Sequence, residues 1–383
     1  MRSAKRLLLL GGLVLLVGGG FTSIRLPAQQ VKVTDPATVV LIVARDSNEI
    51  VYMDIKDNSI IGRTFLGNNV NPHMVMMSPD GRYVVTGGTR ANKAFIIDAH
   101  TLQLVKVINV DIAPEHLAFS PDSRWYYQGN PQGDSISVID MQSLTKIKTI
   151  PGFAEPLNVT FTTDGSKAYV GNYGANWVGV VDVRRHELLK KIQIAPPPGV
   201  ARLDPDRYLG DIHGINNATP TPDGRYLYAA AGTLGVVGVI DTREDKVVKV
   251  IQVGADPWRV YMSHDGKYAV VPNNGDETIS IIDVKANKVA ATLEAGPGMV
   301  GVNFAAGKAF VISSTSGFIY VYDMNSLKPA GRMLLQSITI ADRNFEQARR
   351  SVDFIQKYIF PGGALPSCGA LLSSVSRVTD LQL

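Results

Sequence analysis

The sequence predicts an all-β chain in which one small antiparallel sheet is repeated radially, and three observations carry this. A turn signature recurs as SPDG at 78–81, SPDS at 120–123, TTDG at 162–165, TPDG at 221–224 and SHDG at 263–266, with its Asp at 80, 122, 164, 223 and 265. Apolar runs ending in Asp form a second mark: VYMD, FIID, SVID, GVVD, GVID, SIID and YVYD close at Asp54, Asp98, Asp140, Asp182, Asp241, Asp283 and Asp323. Helix periodicity is almost absent before residue 340.

The N-terminus comes first in the chain and explains its charge. Arg2, Lys5 and Arg6 precede the apolar run LLLLGGLVLLVGGGF at 7–21. A positive flank and an apolar run of this length are those of an export signal. Extending the run through Ile24 keeps an uncleaved membrane anchor open, with the large domain on the far side of the cytoplasmic membrane. Residues 1–28 are therefore expected to be a signal peptide or anchor, and the rest periplasmic or extracellular. The formal charge of +4 lies in this segment, because beyond residue 28 there are 34 basic residues against 34 acidic ones. A neutral body argues against a nucleic-acid partner. The single cysteine, Cys368, excludes an intrachain disulfide framework, c-type haem attachment and all-thiolate metal sites.

The repeated units fill residues 38–333. Asp-Gly pairs between alternating apolar runs are hairpin turns. The unit at 257–296 reads as four strands beginning near Pro257, Lys267, Thr278 and Lys288. One such sheet cannot bury both faces alone, and stacking sheet on sheet around an axis solves this. Seven units predict a seven-bladed β-propeller of four-stranded blades, and their regularity argues against a β-sandwich. The pattern PWRVYMSHDGKYAVVPNNGDETISIIDVKANKVAATLEAG resembles the YVTN-type propeller repeat family over this whole stretch. The third unit departs from it at Ser123, where Gly is usual, and the seventh lacks its turn Asp. Unit 1 lacks an innermost strand, for which VKVT at 31–34 and QSITIA at 336–341 are the two candidates.

Residues 334–383 do not match the repeat. ADRNFEQARRSVDFIQKYIF at 341–360 has helical periodicity and stops at Pro361-Gly362-Gly363. With YIFPGGALPS at 358–367, the segment resembles part of the cyclopropane-fatty-acid synthase type methyltransferases. Those enzymes bind S-adenosylmethionine on a complete Rossmann-like domain. Only about 50 residues match here and no glycine-rich nucleotide loop precedes them, so a short helical tail, a fused fragment without methyltransferase activity, is expected.

Propellers place ligands on the central axis or in the loops at one end. The loops entering the innermost strands read NNVNPH, APEH, EPLN, DIHGINN, ADPW and GPGM. Within them His73, His116, Asn158, His213 and Trp258 occupy similar repeat positions and are the candidate cofactor-binding residues. His73, His116 and His213 are the candidate metal ligands, because neutral imidazoles hold transition metals. GN at 129–130 and 171–172 and NNG at 273–275 suit tight turns, not phosphate cradles. The loop between units 4 and 5 is 17 residues longer than its counterparts. It offers Asp204, Asp206, Arg207, Tyr208 and Asp211 to a ligand or partner, with only weak resemblance to a calcium loop.

No nucleophile elbow, HExxH or Ser-His-Asp arrangement appears, and no catalytic residue is assigned. The first expectation is an exported, non-catalytic propeller that binds or scaffolds a protein partner through its loops, a redox enzyme being one candidate. The family resemblance also implies two alternatives: a periplasmic oxidoreductase or haem d1- or quinone-type cofactor handler, and a metal-dependent lactonase-type hydrolase. The fold does not choose among them, and the identity of any cofactor stays open.

Overall fold

The computed structural model describes residues 33–57, 59–196, 198 and 213–334. The signal or anchor, most of the long loop after blade 4 with its acidic residues, and the tail from 335 lie outside the described residues. Seven antiparallel sheets follow one another along the chain. Blade 1 comprises β1 (Val39–Ala44), β2 (Glu49–Asp54) and β3 (Ile60–Phe65). Blade 2 comprises β4 (Pro72–Met77), β5 (Tyr83–Gly88), β6 (Lys93–Asp98) and β7 (Leu104–Asn109). Blade 3 has β8 (Leu117–Phe119), β9 (Trp125–Asn130), β10 (Ser135–Asp140) and β11 (Thr145–Pro151). Blade 4 has β12 (Pro156–Phe161), β13 (Lys167–Asn172), β14 (Trp177–Asp182) and β15 (Glu187–Gln193). Blade 5 has β16 (Ile215–Pro220), β17 (Tyr226–Ala231), β18 (Val236–Asp241) and β19 (Lys246–Gln252). Blade 6 has β20 (Tyr261–Met262), β21 (Tyr268–Asn273), β22 (Thr278–Asp283) and β23 (Lys288–Glu294). Blade 7 has β24 (Met299–Ala305), β25 (Lys308–Ser313), β26 (Phe318–Asp323) and β27 (Lys328–Leu334).

Both sequence marks have a local physical cause. In the first turn Ser78 Oγ donates to Asp80 Oδ1 at 2.6 Å, and that oxygen accepts the Arg82 N–H at 3.1 Å. Ser78 Oγ in turn accepts the Tyr83 N–H at 3.0 Å, and Gly81 takes φ +71°. The hydroxyl and carboxylate thus replace the backbone partners that a tight turn leaves unmet. At Ser123 the backbone is also left-handed, with φ 60°. Its Oγ accepts the Asp80 N–H of the neighbouring blade at 2.9 Å, a contact glycine could not make. The second mark ends each third strand with a cap: Asp98 accepts from His100 and Thr101, Asp241 from Arg243 and Glu244, and Asp323 from Asn325 and Ser326.

The second and third strands are buried between blades, and the fourth strands alternate or face solvent, as in KVAATLE of β23. Six apolar clusters each join two adjacent blades, as Ile96 and Ile139 do between blades 2 and 3. Tyrosines from second strands latch onto the next blade. Tyr127 Oη bonds His186 Nδ1 at 2.7 Å, Tyr169 Oη donates to Asp245, and Tyr228 Oη donates to Asn287. Burial pushes the Tyr169 phenol well above its ordinary range, and the hydrogen bond to Asp245 pushes the same way. Tyr169→Phe removes a bond to a charged acceptor and is expected to cost about 1.5 kcal/mol, read as a lower midpoint of urea unfolding. An unchanged midpoint would remove the latch.

Blade 1 has only three strands, so the expected innermost strand is missing among the described residues. Of VKVT, Val33 and Thr34 form no strand. Val33 N–H donates to His100 O at 2.7 Å, and its carbonyl bonds His100 Nδ1 at 2.9 Å. Val33 therefore rests on a turn of blade 2. QSITIA lies outside the described residues. The two facing blades keep separate apolar clusters, Ile312, Ile319 and Val321 on blade 7 and Ile42 and Val51 on blade 1.

Candidate functional site

The innermost strands share an irregularity that decides where side chains point. In β4, Pro72 pairs Gly88 while Val75 pairs Thr86, so one extra residue is inserted. The same shift lies between Pro156 and Val159 in β12, between Ile215 and Ala218 in β16, and between Met299 and Gly301 in β24. A bulge breaks the alternation of a strand and re-aims its side chains. Counted from the Ser or Thr that opens each turn, the residue five back is His73, Glu115, Leu157, Asn216 or Trp258. The residue four back is Met74, His116, Asn158, Asn217 or Arg259.

The backbone beneath the bulges is glycine for a steric reason. Gly129 and Gly171 lie in β9 and β13, not in turns as expected from the sequence. A Cβ on Gly171 would stand 2.7 Å from Asn216 O, and one on Gly129 would stand 2.8 Å from Leu157 O. The next blade's bulge occupies that space, which only glycine leaves open.

The structure brings His73 and His116 together and gives them a third neighbour, Glu115. One ligand-capable atom from each of the three lies within 4.8 Å of the others. The two imidazoles stand 5.7 Å apart between ring centroids, tilted by 33°. His116 is 3% exposed, and its Nδ1 is buried without a hydrogen-bond partner. Burial holds its ring well below the ordinary imidazole range, and the charges of Arg259 and His73 act the same way. It is therefore neutral at pH 7, with a lone pair to offer. Burial pushes the Glu115 carboxyl upward, opposed by Arg45 and Arg259 and aided by Glu155. Arg45, just after β1, donates from Nη2 to Asn71 Oδ1 at 2.6 Å, and its Nε is buried without a hydrogen-bond partner.

His213 is not part of this group. It lies eight residues before its turn, outside the bulge register, in the loop that carries the insertion. It stacks on Tyr173 at 4.8 Å and 1°, meets Trp258 edge-on at 4.5 Å, and sets Nδ1 3.7 Å from Asp256 Oδ1. Burial raises the Asp256 carboxyl and His213 opposes this. Beside His213 opens a cleft of about 400 Å³ lined by Glu155, Tyr173, Asn176, Gly214 and Thr233. Trp258 connects the two groups, since Arg259 lies over its ring with 5.5 Å from Cζ to the centroid. Its Nε1 is buried without a hydrogen-bond partner, as are both amide atoms of the fully buried Asn216. Asn158 is 2% exposed, and its Oδ1 accepts from Thr160 at 3.0 Å. Sequence reasoning missed Glu115, Asn216, Arg45 and Arg259. Aligning the loops on the turn Ser or Thr, instead of on histidine, would have shown the first two and Arg259.

Seven blades, bulged inner strands and the turn-and-Asp marks together define the repeat. Residues 29–207 match the family model described as YNCE-like beta-propeller. Among solved structures, the chain is similar to hydrazine synthase of Kuenenia stuttgartiensis, at 22% identity and TM-score 0.53, over 76% of this chain and 83% of that one. It is also similar to a functionally unknown protein from Desulfotomaculum acetoxidans, at 14% identity and TM-score 0.57, over 77% and 95%. At these identities the likeness shows the fold. Residues 313–383 match the model described as mycolic acid cyclopropane synthetase. A stretch of 57 residues is 37% identical to tuberculostearic acid methyltransferase UfaA1 of Mycobacterium tuberculosis, covering 15% of this chain and 13% of that enzyme. The family match reaches back over β26 and β27, which fold as strands of blade 7.

Proposed function

We propose that this chain is an exported binding propeller whose channel mouth seats a small polar ligand. The carrying observation is the ring of buried polar atoms without hydrogen-bond partners at or beside the bulges: Arg45 Nε, His116 Nδ1, both amide atoms of Asn216 and Trp258 Nε1. More than about 90% of buried polar groups in folded proteins are satisfied, and each exception costs about 1–3 kcal/mol. A set of exceptions at or beside equivalent places of the repeat is what a binding site kept ready for a partner group looks like. The basic N-terminus followed by the apolar run at 7–21 supports export.

The test is unfolding of the full chain against panels of small carboxylates, phosphates and sugars. One class is expected to raise the unfolding free energy saturably, by about 2.7 kcal/mol at a hundredfold excess over Kd. If none of the three classes shifts the transition, the channel mouth is not a small-ligand site.

A further inference from the structure

The structure assigns a divalent transition-metal site to His73, Glu115 and His116. The inference rests on the reading of the channel mouth as a ligand site and names the ion that would sit there. Two imidazoles and one carboxylate form the donor set of three-ligand metal centres that keep positions open, and zinc suits it. Two atoms that each lie about 2.1 Å from one ion stand at most about 4.2 Å apart. Tetrahedral ligation sets donors about 3.4 Å apart, so the most distant pair, within 4.8 Å, would close by up to about 1.4 Å on binding.

The ligands come from two blades held at fixed spacing. His73 sits in the bulge of β4, and Glu115 and His116 lead directly into β8. His116 is fixed by its backbone, whose carbonyl accepts Gly129 N–H at 2.7 Å and Gln128 Nε2 at 2.8 Å. Glu115 and His116 both face Gly129, since Glu115 N–H donates to Gly129 O at 3.1 Å and Gly129 N–H donates to His116 O at 2.7 Å. Such a bulge lets consecutive residues serve one ion where a regular strand would send them to opposite faces.

The surrounding charges choose the kind of ion. Arg45 and Arg259 act on Glu115, and the exposed Glu155 offsets them only at the rim. A hard cation held by charge alone is disfavoured among guanidiniums. A metal that gains from imidazole nitrogen tolerates them, and its open positions would then face two cations suited to an anionic group.

The experiment strips the full-length protein with a chelator and titrates zinc without any other ligand, by calorimetry and by metal content after gel filtration. One ion per chain is expected. Glu115→Gln and His116→Ala should each weaken zinc binding by more than about 100-fold, since even residues behind the ligands cost roughly 10–100-fold. Cobalt substituted for zinc should give a visible absorption band that both variants lose. His213→Ala should bind zinc as the parent does. Glu115→Gln is the conservative variant, and unchanged circular dichroism shows that it is folded. Absence of saturable zinc binding, parental affinity in folded Glu115→Gln, or equal loss in His213→Ala overturns the site. Ligand stabilisation measured on the stripped protein reports separately on the small-ligand reading, so the two can fail independently.

Discussion

Gly214→Ala is expected to cost about 3 kcal/mol of stability, the upper part of the range for overpacking. Its Cβ would stand 2.1 Å from Ala175 O, 2.4 Å from Ala175 C and 2.7 Å from Ala175 N. All three are backbone atoms and cannot swing aside. The backbone on either side is tied as well: Gly214 N–H donates to Tyr173 O at 2.7 Å, and Ile215 N–H donates to Ala175 O at 3.0 Å. Relief therefore requires the entry to blade 5 to move away from blade 4, taking His213 off Tyr173. Urea unfolding of the full chain measures the loss. Gly174→Ala is the control, because its Cβ meets nothing nearer than 3.5 Å and should change stability by less than about 0.5 kcal/mol. Equal midpoints for the two variants would show that the close approach at Gly214 is absent.

Asn216→Leu is expected to do the opposite to stability and to abolish the response to ligand. The amide is fully buried with neither atom hydrogen-bonded. Replacing an unsatisfied polar group by an apolar one of similar size removes a desolvation cost of about 1–3 kcal/mol. The ligand-free variant should gain about 1 kcal/mol, while the ligand that stabilises the parent should no longer shift its unfolding. Such a gain with loss of binding is the usual trade at a functional position. A loss of about 2 kcal/mol or more would mean that the amide is held structurally, and the site would lose its carrying residue.

The architecture was legible because its signals are local. A Ser or Thr, an Asp and a Gly within four residues make a turn wherever they occur, and an Asp after an apolar run caps the next one. The inner strand was less legible because a bulge leaves no residue type of its own. Its effect is to put two consecutive positions into play, and the histidines alone could not show that His73 aligns with Glu115 and that His116 aligns with Arg259. His213 looked equivalent because it precedes an inner strand, but its loop has a different length. Gly129 and Gly171 resembled turn residues because their real constraint, the backbone of the next blade, lies about 28 and 45 residues further along the chain. Arg45 was invisible for a related reason: blade 1 begins at its second strand, so no turn signature marks the position.

Among the described residues, blades 7 and 1 keep separate apolar clusters, so no shared apolar core spans this junction as one spans each of the other six. Arg45 stands on blade 1, directly after β1, and Arg259 leads into β20 of blade 6, so the two cations that act on Glu115 come from the blades on either side of blade 7. A ligand that binds both guanidiniums would link blade 6 to blade 1 across that junction. Ligand binding and docking of blade 1 beside blade 7 would then stabilise one another to the same degree, as thermodynamic linkage requires.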